Sequence, residues 1–323
     1  MKRQSLVIVT PALADANNGN WQTAHRWARM LASAYRVVLT DRWPMVGSMG
    51  DEALMIALHA RRSAPSMVAW REAHPRRPLL LVLTGTDLYR DIDQDTTARA
   101  SLDRADALVV LNSLGPQQLP AQHRAKCQVV LQSCSLRRSL AKTGRHLRAL
   151  MVGHLRDEKD PLTYLRAAER LAGRPDLHFD HIGAALDPAL GAAAQALAAR
   201  QPRYRWLGAL PHAAVRRHIQ QAHVLVHASR MEGGAHVVIE ALRSGTPVVA
   251  SRIDGNLGLL GSDYTGAVPV GDDAALAGLL LQARDDPDML PHLMRQGSLR
   301  APLFAPAAEA ATLHRIVAGL LEP

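Results

Sequence analysis

The segment SRMEGGAHVVIEALRSGTPVVAS, residues 229–251, sets two carboxylates, Glu232 and Glu240, with seven residues between them, and puts Gly233 and Gly234 directly after the first. An ionised carboxylate only accepts hydrogen bonds. Two of them would repel a bare phosphate, but they suit the hydroxyls of a sugar or a ribose. Paired glycines let backbone amides approach a ligand closely. The start of a helix offers unsatisfied N–H groups and the positive end of a dipole to a diphosphate. Here HVLVHA (223–228) reads as a strand, SRMEGG as a loop, and AHVVIEALRSG as a helix closed by Gly245. Glu240 then lies about five residues into the helix, or about 8 Å along its axis. The segment reads as a sugar-nucleotide site. On spacing alone, a loop glutamate and a helix glutamate with no shared role fit equally well.

A second group lies in VGHLRDEKDP (152–161), a strand end leading into a helix, with His154, Arg156 and Lys159. Lys159 is one of only four lysines in an arginine-rich chain. That favours a role for a compact ammonium, against the plainer reading of a solvated helix start. In the N-terminal half, Gly19 and Asn20 precede a helical pattern, where an ordinary Asn-Gly turn is the alternative. ALHARRSA (57–64) follows a strand and carries His59, Arg61 and Arg62. Adjacent arginines cannot both point one way along a helix, so one of them is solvated. LTGTDLYRD (83–91), also after a strand, carries Thr84, Gly85, Thr86 and Asp87.

Other patterns carry less. Asp91, Asp93 and Asp95 form overlapping D-x-D pairs, but acidic residues also favour a helix start, and no metal is expected. GNLGLLG (255–261) lacks the glycine order of a dinucleotide fingerprint. His178 with His181, His212 with His218, and His223 with His227 have no metal-ligand spacing. Cys127 and Cys134 form no disulfide framework and read as buried thiols in a reducing compartment.

These residues must be positioned by a framework, and 323 residues suffice for two domains with their own cores. Apolar residues make up 48% and aromatics 4%, so the cores are aliphatic. The formal charge is +9. The basic residues are scattered, few aromatics interleave them, and no nucleic-acid-binding motif appears, so nucleic acid is not an expected partner. The apolar run near the N-terminus is too short for a signal peptide. No segment approaches the ~20 apolar residues of a membrane helix. HRWARMLASAY is the one candidate for a membrane-surface helix, and packing in a core explains it better. The expectation is a cytoplasmic protein without stable membrane association.

Apolar runs at 6–10, 36–40, 54–58, 79–83, 107–111 and 128–131 read as strands, with amphipathic stretches such as WQTAHRWARMLASAY between several of them. The basic segment 137–148 interrupts the pattern, which restarts at 149–153, 177–183, 203–208, 223–228, 246–251 and 266–270. Continuous apolar strands imply burial on both faces, hence parallel sheets flanked by helices. The chain therefore reads as α/β, with two doubly wound Rossmann-like domains, residues 1–145 and 146–304, and a final helix from Pro306. Ligands in such sheets bind beyond the carboxyl ends of the strands, and a cleft between two such domains is the expected place.

The 229–251 segment resembles the E-x7-E signature of retaining GT-B glycosyltransferases, the family-four group, and the resemblance covers nearly the whole chain. It implies that Glu232 contacts the donor-sugar hydroxyls and that Glu240 holds the nucleotide ribose, with Gly233, Gly234, Ala235 and His236 beside the donor. It also implies a final helix, residues 305–323, crossing back onto the first domain. VGHLRDEKDP is similar to the family's V-G-R-L-x-x-x-K-G, whose Arg and Lys clamp the diphosphate. Lys159 matches the Lys, His154 stands at the Arg, and Arg156 supplies the second cation. Glu232, Arg156 and Lys159 are thus the catalytic set, with Gly19 and Asn20 at the family's glycine-rich donor loop. Many members have a His near Thr84, and this chain has none there.

The combination of GNWQTAHRWA, ALHARRSA, LTGTDLYRD, GHLRDEKDP, RYRWLG, MEGGAH and IDGNLGLLGSDY is similar to the selenosugar synthases of selenoneine biosynthesis. That resemblance implies UDP-N-acetylglucosamine or UDP-glucose and selenophosphate as substrates, with no cofactor. It also implies functional coupling to an enzyme that supplies selenophosphate. Selenophosphate is an anionic, polarizable nucleophile that needs no general base. His59, Arg61, Arg62, Thr84, Gly85, Thr86 and Asp87 would form its site, the arginines offsetting charge and Thr84–Thr86 donating hydrogen bonds. The alternatives are a glycosyltransferase acting on a hydroxyl and a non-catalytic sugar-nucleotide sensor.

Overall fold

Strands that are apolar at every position have no solvent face, and each must be covered on both sides. The computed structural model, which describes residues 3–13, 19–45 and 50–322, resolves the pattern in that way. The first sheet comprises β1 (Ser5–Val9), β2 (Arg36–Thr40), β3 (Leu54–Leu58), β4 (Leu79–Leu83), β5 (Ala107–Val110) and β6 (Cys127–Val129). The second comprises β7 (Leu147–Val152), β8 (Leu177–Ile182), β9 (Tyr204–Trp206), β10 (Val224–His227), β11 (Val248–Ser251) and β12 (Ala267–Val268). Each apolar run read as a strand overlaps one of these. The orders are β2-β1-β3-β4-β5-β6 and β12-β11-β10-β7-β8-β9, with parallel pairing throughout. These are two doubly wound, Rossmann-like sheets. The strand order reverses between β1 and β3 in one and between β7 and β10 in the other.

Alternation along the strands divides the first core in two. Val7, Val9, Met55, Leu81 and Val110 face a layer containing Trp43, Met67 and Trp70. Leu6, Ile8, Ile56, Val82 and Val109 face Trp27, Leu31, Leu313, Ile316 and Val317. The last three belong to the Pro306–Leu321 helix, whose buried stripe Glu309, Leu313, Ile316 and Val317 has helical spacing. It packs beside the Gly19–Leu31 helix.

The chain divides into two compact units. The first holds residues up to Ser133, the short segment Glu232–Gly234, and Pro306 onwards, and the second holds Cys134–Met231 and Ala235–Ala305. Residues 134–145, which the sequence reading counts with the first domain, therefore group with the second. Their backbone is anchored there, with Arg137 N–H donating to Arg243 O and Leu140 N–H to Gln220 O. Among the described residues, no helix is long and apolar enough to cross a membrane.

Candidate active site

In the second unit, the reversal between β7 and β10 brings two loops together at the carboxyl ends of neighbouring strands, where ligands of such sheets bind. One is the loop after β7, carrying His154, Arg156 and Lys159. The other follows β10 and leads to Glu232. Arg230 ties them. Its backbone N–H donates to Glu158 O at 2.9 Å, and its guanidinium reaches Asp160 Oδ1 at 3.3 Å. Asp160 adopts a left-handed conformation, φ 44°, and accepts the Thr163 hydroxyl at 2.8 Å at the start of the Pro161–Arg170 helix. The lysine stem lies over Gly153, where an added Cβ would meet Lys159 Cγ at 3.5 Å.

His154 does not act as the cation its position in the motif suggests. Its Nδ1 accepts the Ala184 N–H at 3.0 Å. Partial burial, with the charges of Arg156 and Lys159, pushes its pKa below 6.5. The neutral ring carries its proton on Nε2. Arg156 is half exposed, 3.9 Å from Glu158, on the same loop as Lys159.

Glu240 occupies the fifth position of the His236–Leu242 helix, as the spacing requires. Glu240 is 3% exposed, and three bases address its carboxylate. His212 Nε2 lies 2.5 Å from Oε1, His236 Nδ1 3.4 Å and Arg216 Nη1 3.7 Å. Burial raises the carboxyl pKa, but the hydrogen bonds and charges of His212 and His236 outweigh it and hold it at about 2. The pairing of His212 and Arg216 with Glu240 is not legible in the sequence, because they lie 28 and 24 residues before it. A signal existed: His212 opens a helix with no acidic residue in its first turn, so a carboxylate partner must come from elsewhere.

The two glycines also have a packing reason. A Cβ at Gly233 would lie 2.3 Å from Thr84 O, and one at Gly234 2.8 Å from Gln132 Oε1 and 2.9 Å from Leu111 Cβ. Asn112 Nδ2 donates to Gly233 O at 2.7 Å. Protein backbone and side chains fill the space that larger residues would need. Gly19 contrasts with this: a Cβ there meets nothing within 4 Å among the described residues.

In the first unit, Gly19 begins its helix after β1, and His59 follows β3, the two strands that flank the reversal. The Thr84–Asp87 loop is organised around Asp87, which is fully buried. Asp87 Oδ1 accepts Thr84 N–H at 2.9 Å, Thr84 Oγ1 at 3.3 Å and Gly85 N–H at 2.9 Å. Oδ2 accepts Ala60 N–H at 3.0 Å. The Thr84 and Gly85 donors expected to face phosphoryl oxygens thus have partners inside the loop, which Asp87 holds. Thr86 Oγ1 bonds His59 Nε2 at 3.2 Å. His59 is buried with φ 76°, and burial outweighs the charge of Asp87 to lower its pKa.

Arg61 pairs with Asp91 at 3.2 Å, and the Arg62 side chain is exposed. Asp95 caps the Thr96–Arg104 helix through Ala98 N–H at 2.9 Å, the helix-start role weighed against metal binding. Among the described residues, no group of three or more His, Cys, Asp or Glu is placed to hold a metal ion.

Two Rossmann-like units, with charged loops at the strand-order reversals and a final helix packed in the first unit, define the GT-B class. A solved sucrose-phosphate synthase from Thermosynechococcus elongatus matches with a TM-score of 0.79 at 18% identity, covering 98% of this chain and 99% of that one. HepE of Anabaena, solved with UDP and glucose, matches with a TM-score of 0.77 at 14% identity, covering 98% and 100%. The pneumococcal O-GlcNAc transferase GtfA, solved with UDP and GlcNAc, matches with a TM-score of 0.66 at 17% identity, covering 84% of this chain and 57% of that one. The family model of glycosyl transferases group 1 matches residues 135–299. The chain belongs to the group 1 glycosyltransferases.

Proposed function

We propose that this glycosyltransferase moves a hexosyl group from a UDP-sugar, UDP-N-acetylglucosamine or UDP-glucose, to selenophosphate. The observation that carries the donor half is the pair of loops tied by Arg230, one bearing Lys159 and Arg156 and the other leading to Glu232. Cations there would meet the diphosphate, Glu232 the hexose and Glu240 the ribose. The UDP bound by HepE and by GtfA supports a uridine donor on this fold.

The acceptor half rests on the first unit. No histidine follows β4 in LTGTDLYRD, which suits a nucleophile that brings its own negative charge. Arg61 and the exposed Arg62 would offset charge on the acceptor and the departing UDP. Selenium attacks the anomeric carbon, the C–Se bond forms, and the C–O bond breaks with its electron pair leaving on UDP. Hydrolysis of the Se–P bond then gives the 1-selenosugar and phosphate. The alternative, transfer to a hydroxyl of a sugar, lipid or small molecule, requires a base, and His59, 4.0 Å from Asp87 and 3.9 Å from Asp91, is the imidazole that stands after β3.

Anaerobic incubation of the protein with each UDP-sugar and selenophosphate, followed by mass spectrometry, tests the reading. UDP and a selenium-containing hexose are expected. UDP release with a hydroxyl acceptor but none with selenophosphate would transfer the assignment to the alternative.

A further inference from the structure

The bases around Glu240 are arranged asymmetrically. His212, His236 and Arg216 all address Oε1, at 2.5, 3.4 and 3.7 Å. Among the described residues, the hydrogen bond to the carboxylate falls on Oε1 and none reaches Oε2. A carboxylate has acceptor capacity on both oxygens, so the protein satisfies one and leaves the other. The closest of the three is also the most exposed: the His212 side chain is 70% exposed, against 33% for His236 and 2% for Arg216. Its ring is held by the carboxylate rather than by packing, because so exposed a side chain fills no core.

We infer that His212 is a positioning residue for the donor nucleotide: by occupying Oε1 it fixes Glu240 with Oε2 turned to a ribose hydroxyl. The inference rests on the reading that places Glu240 at the donor. Without His212, the carboxylate rotates between His236 and Arg216, and the geometry offered to the ribose loosens. Because His212 acts through the hydroxyl contact, its contribution disappears with a ligand that has no ribose hydroxyls.

Calorimetric titration with UDP and with 2′,3′-dideoxy-UDP separates these roles. His212→Ala is expected to weaken UDP about tenfold, the scale of one hydrogen bond to a charged group. It should change dideoxy-UDP affinity by less than about twofold. His212→Gln, whose amide nitrogen sits near the place of Nε2, should recover most of the UDP affinity. Equal losses for both ligands, or no loss for UDP while Glu240→Gln weakens it, would overturn the inference. If Glu240→Gln itself leaves UDP binding unchanged, the donor reading of Glu240 fails, and the role of His212 fails with it.

Discussion

Glu309 and Trp27, 282 residues apart in the chain, meet in the core of the first unit: Glu309 Oε1 accepts the indole Nε1–H at 2.7 Å. The same carboxylate takes Arg26 Nε at 3.1 and 3.0 Å and the Ser133 hydroxyl at 2.5 Å. Breaking a buried, fully bonded ion pair by removing one partner costs about 3–5 kcal/mol. Glu309→Ala is therefore expected to lower stability by roughly 3 kcal/mol. Four of the five tryptophans, Trp21, Trp27, Trp43 and Trp70, lie in the first unit, so urea unfolding followed by intrinsic fluorescence reads the change. An unchanged midpoint would show that the carboxylate is dispensable.

Gly233 and Thr84 are in backbone contact, and a Cβ at Gly233 would lie 2.3 Å from Thr84 O and 2.8 Å from Gly85 N. Neither neighbour is a side chain that can swing away. Gly233→Ala should cost about 1–3 kcal/mol as overpacking and, by displacing the adjacent Glu232, lower turnover on the order of a hundredfold. Gly234→Ala meets the flexible end of Gln132 first, and its effect should be smaller on both counts. Thermal melting and UDP release measure the pair, and a milder effect at Gly233 than at Gly234 would contradict the packing argument.

Asp87 is a hub for donors from two loops, three on Oδ1 and the Ala60 N–H on Oδ2. In Asp87→Asn, the amide nitrogen would face the Ala60 N–H, setting donor against donor in a fully buried place. A loss of about 2 kcal/mol is expected. Acceptor KM should rise while donor KM changes little, since the loops it holds belong to the first unit. A rise confined to donor KM would place Asp87 in the wrong half of the reaction.

Acid should destabilise the protein in two stages. His181 is fully buried, its Nδ1 beside Tyr204 Oη at 3.1 Å and its Nε2–H on Gly153 O at 3.3 Å. Burial lowers its pKa from 6.5 to about 4. Between those values the unfolded chain holds the proton and the folded one does not, so stability falls as pH drops, by roughly 3 kcal/mol in all. Glu240, lowered from 4.5 to about 2, extends the fall below pH 4.5 for the same reason. Urea midpoints from pH 8 to pH 4 test the first stage, which His181→Asn should flatten.

Much of this architecture is local information. The strands follow from short apolar runs, and both parallel sheets follow from their lack of a polar face. Leu79–Leu83 and Leu54–Leu58, buried at every position, need no tertiary contact to be recognised. The E-x7-E spacing and the helix that carries Glu240 are local too, as is Lys159 at a strand end. The grouping of the segment after Ser133 with the second unit is not local, because it depends on partners near residues 220 and 243.

Residue order alone sets which side chains stand at the strand ends and that two Rossmann-like sheets present them. What those side chains do to one another depends on contacts made in the folded chain. His212 reaches Glu240 across 28 residues, Asn112 reaches Gly233 across 121, and Trp27 reaches Glu309 across 282. Periodicity reports which face of an element is apolar, and it contains no term for distant polar partners. It could not reveal that Asp87 satisfies the donors of its own loop, that His154 is neutral, or that the paired glycines make room for protein. Those facts depend on strand order and on the geometry of buried polar groups, which must find partners wherever folding brings them.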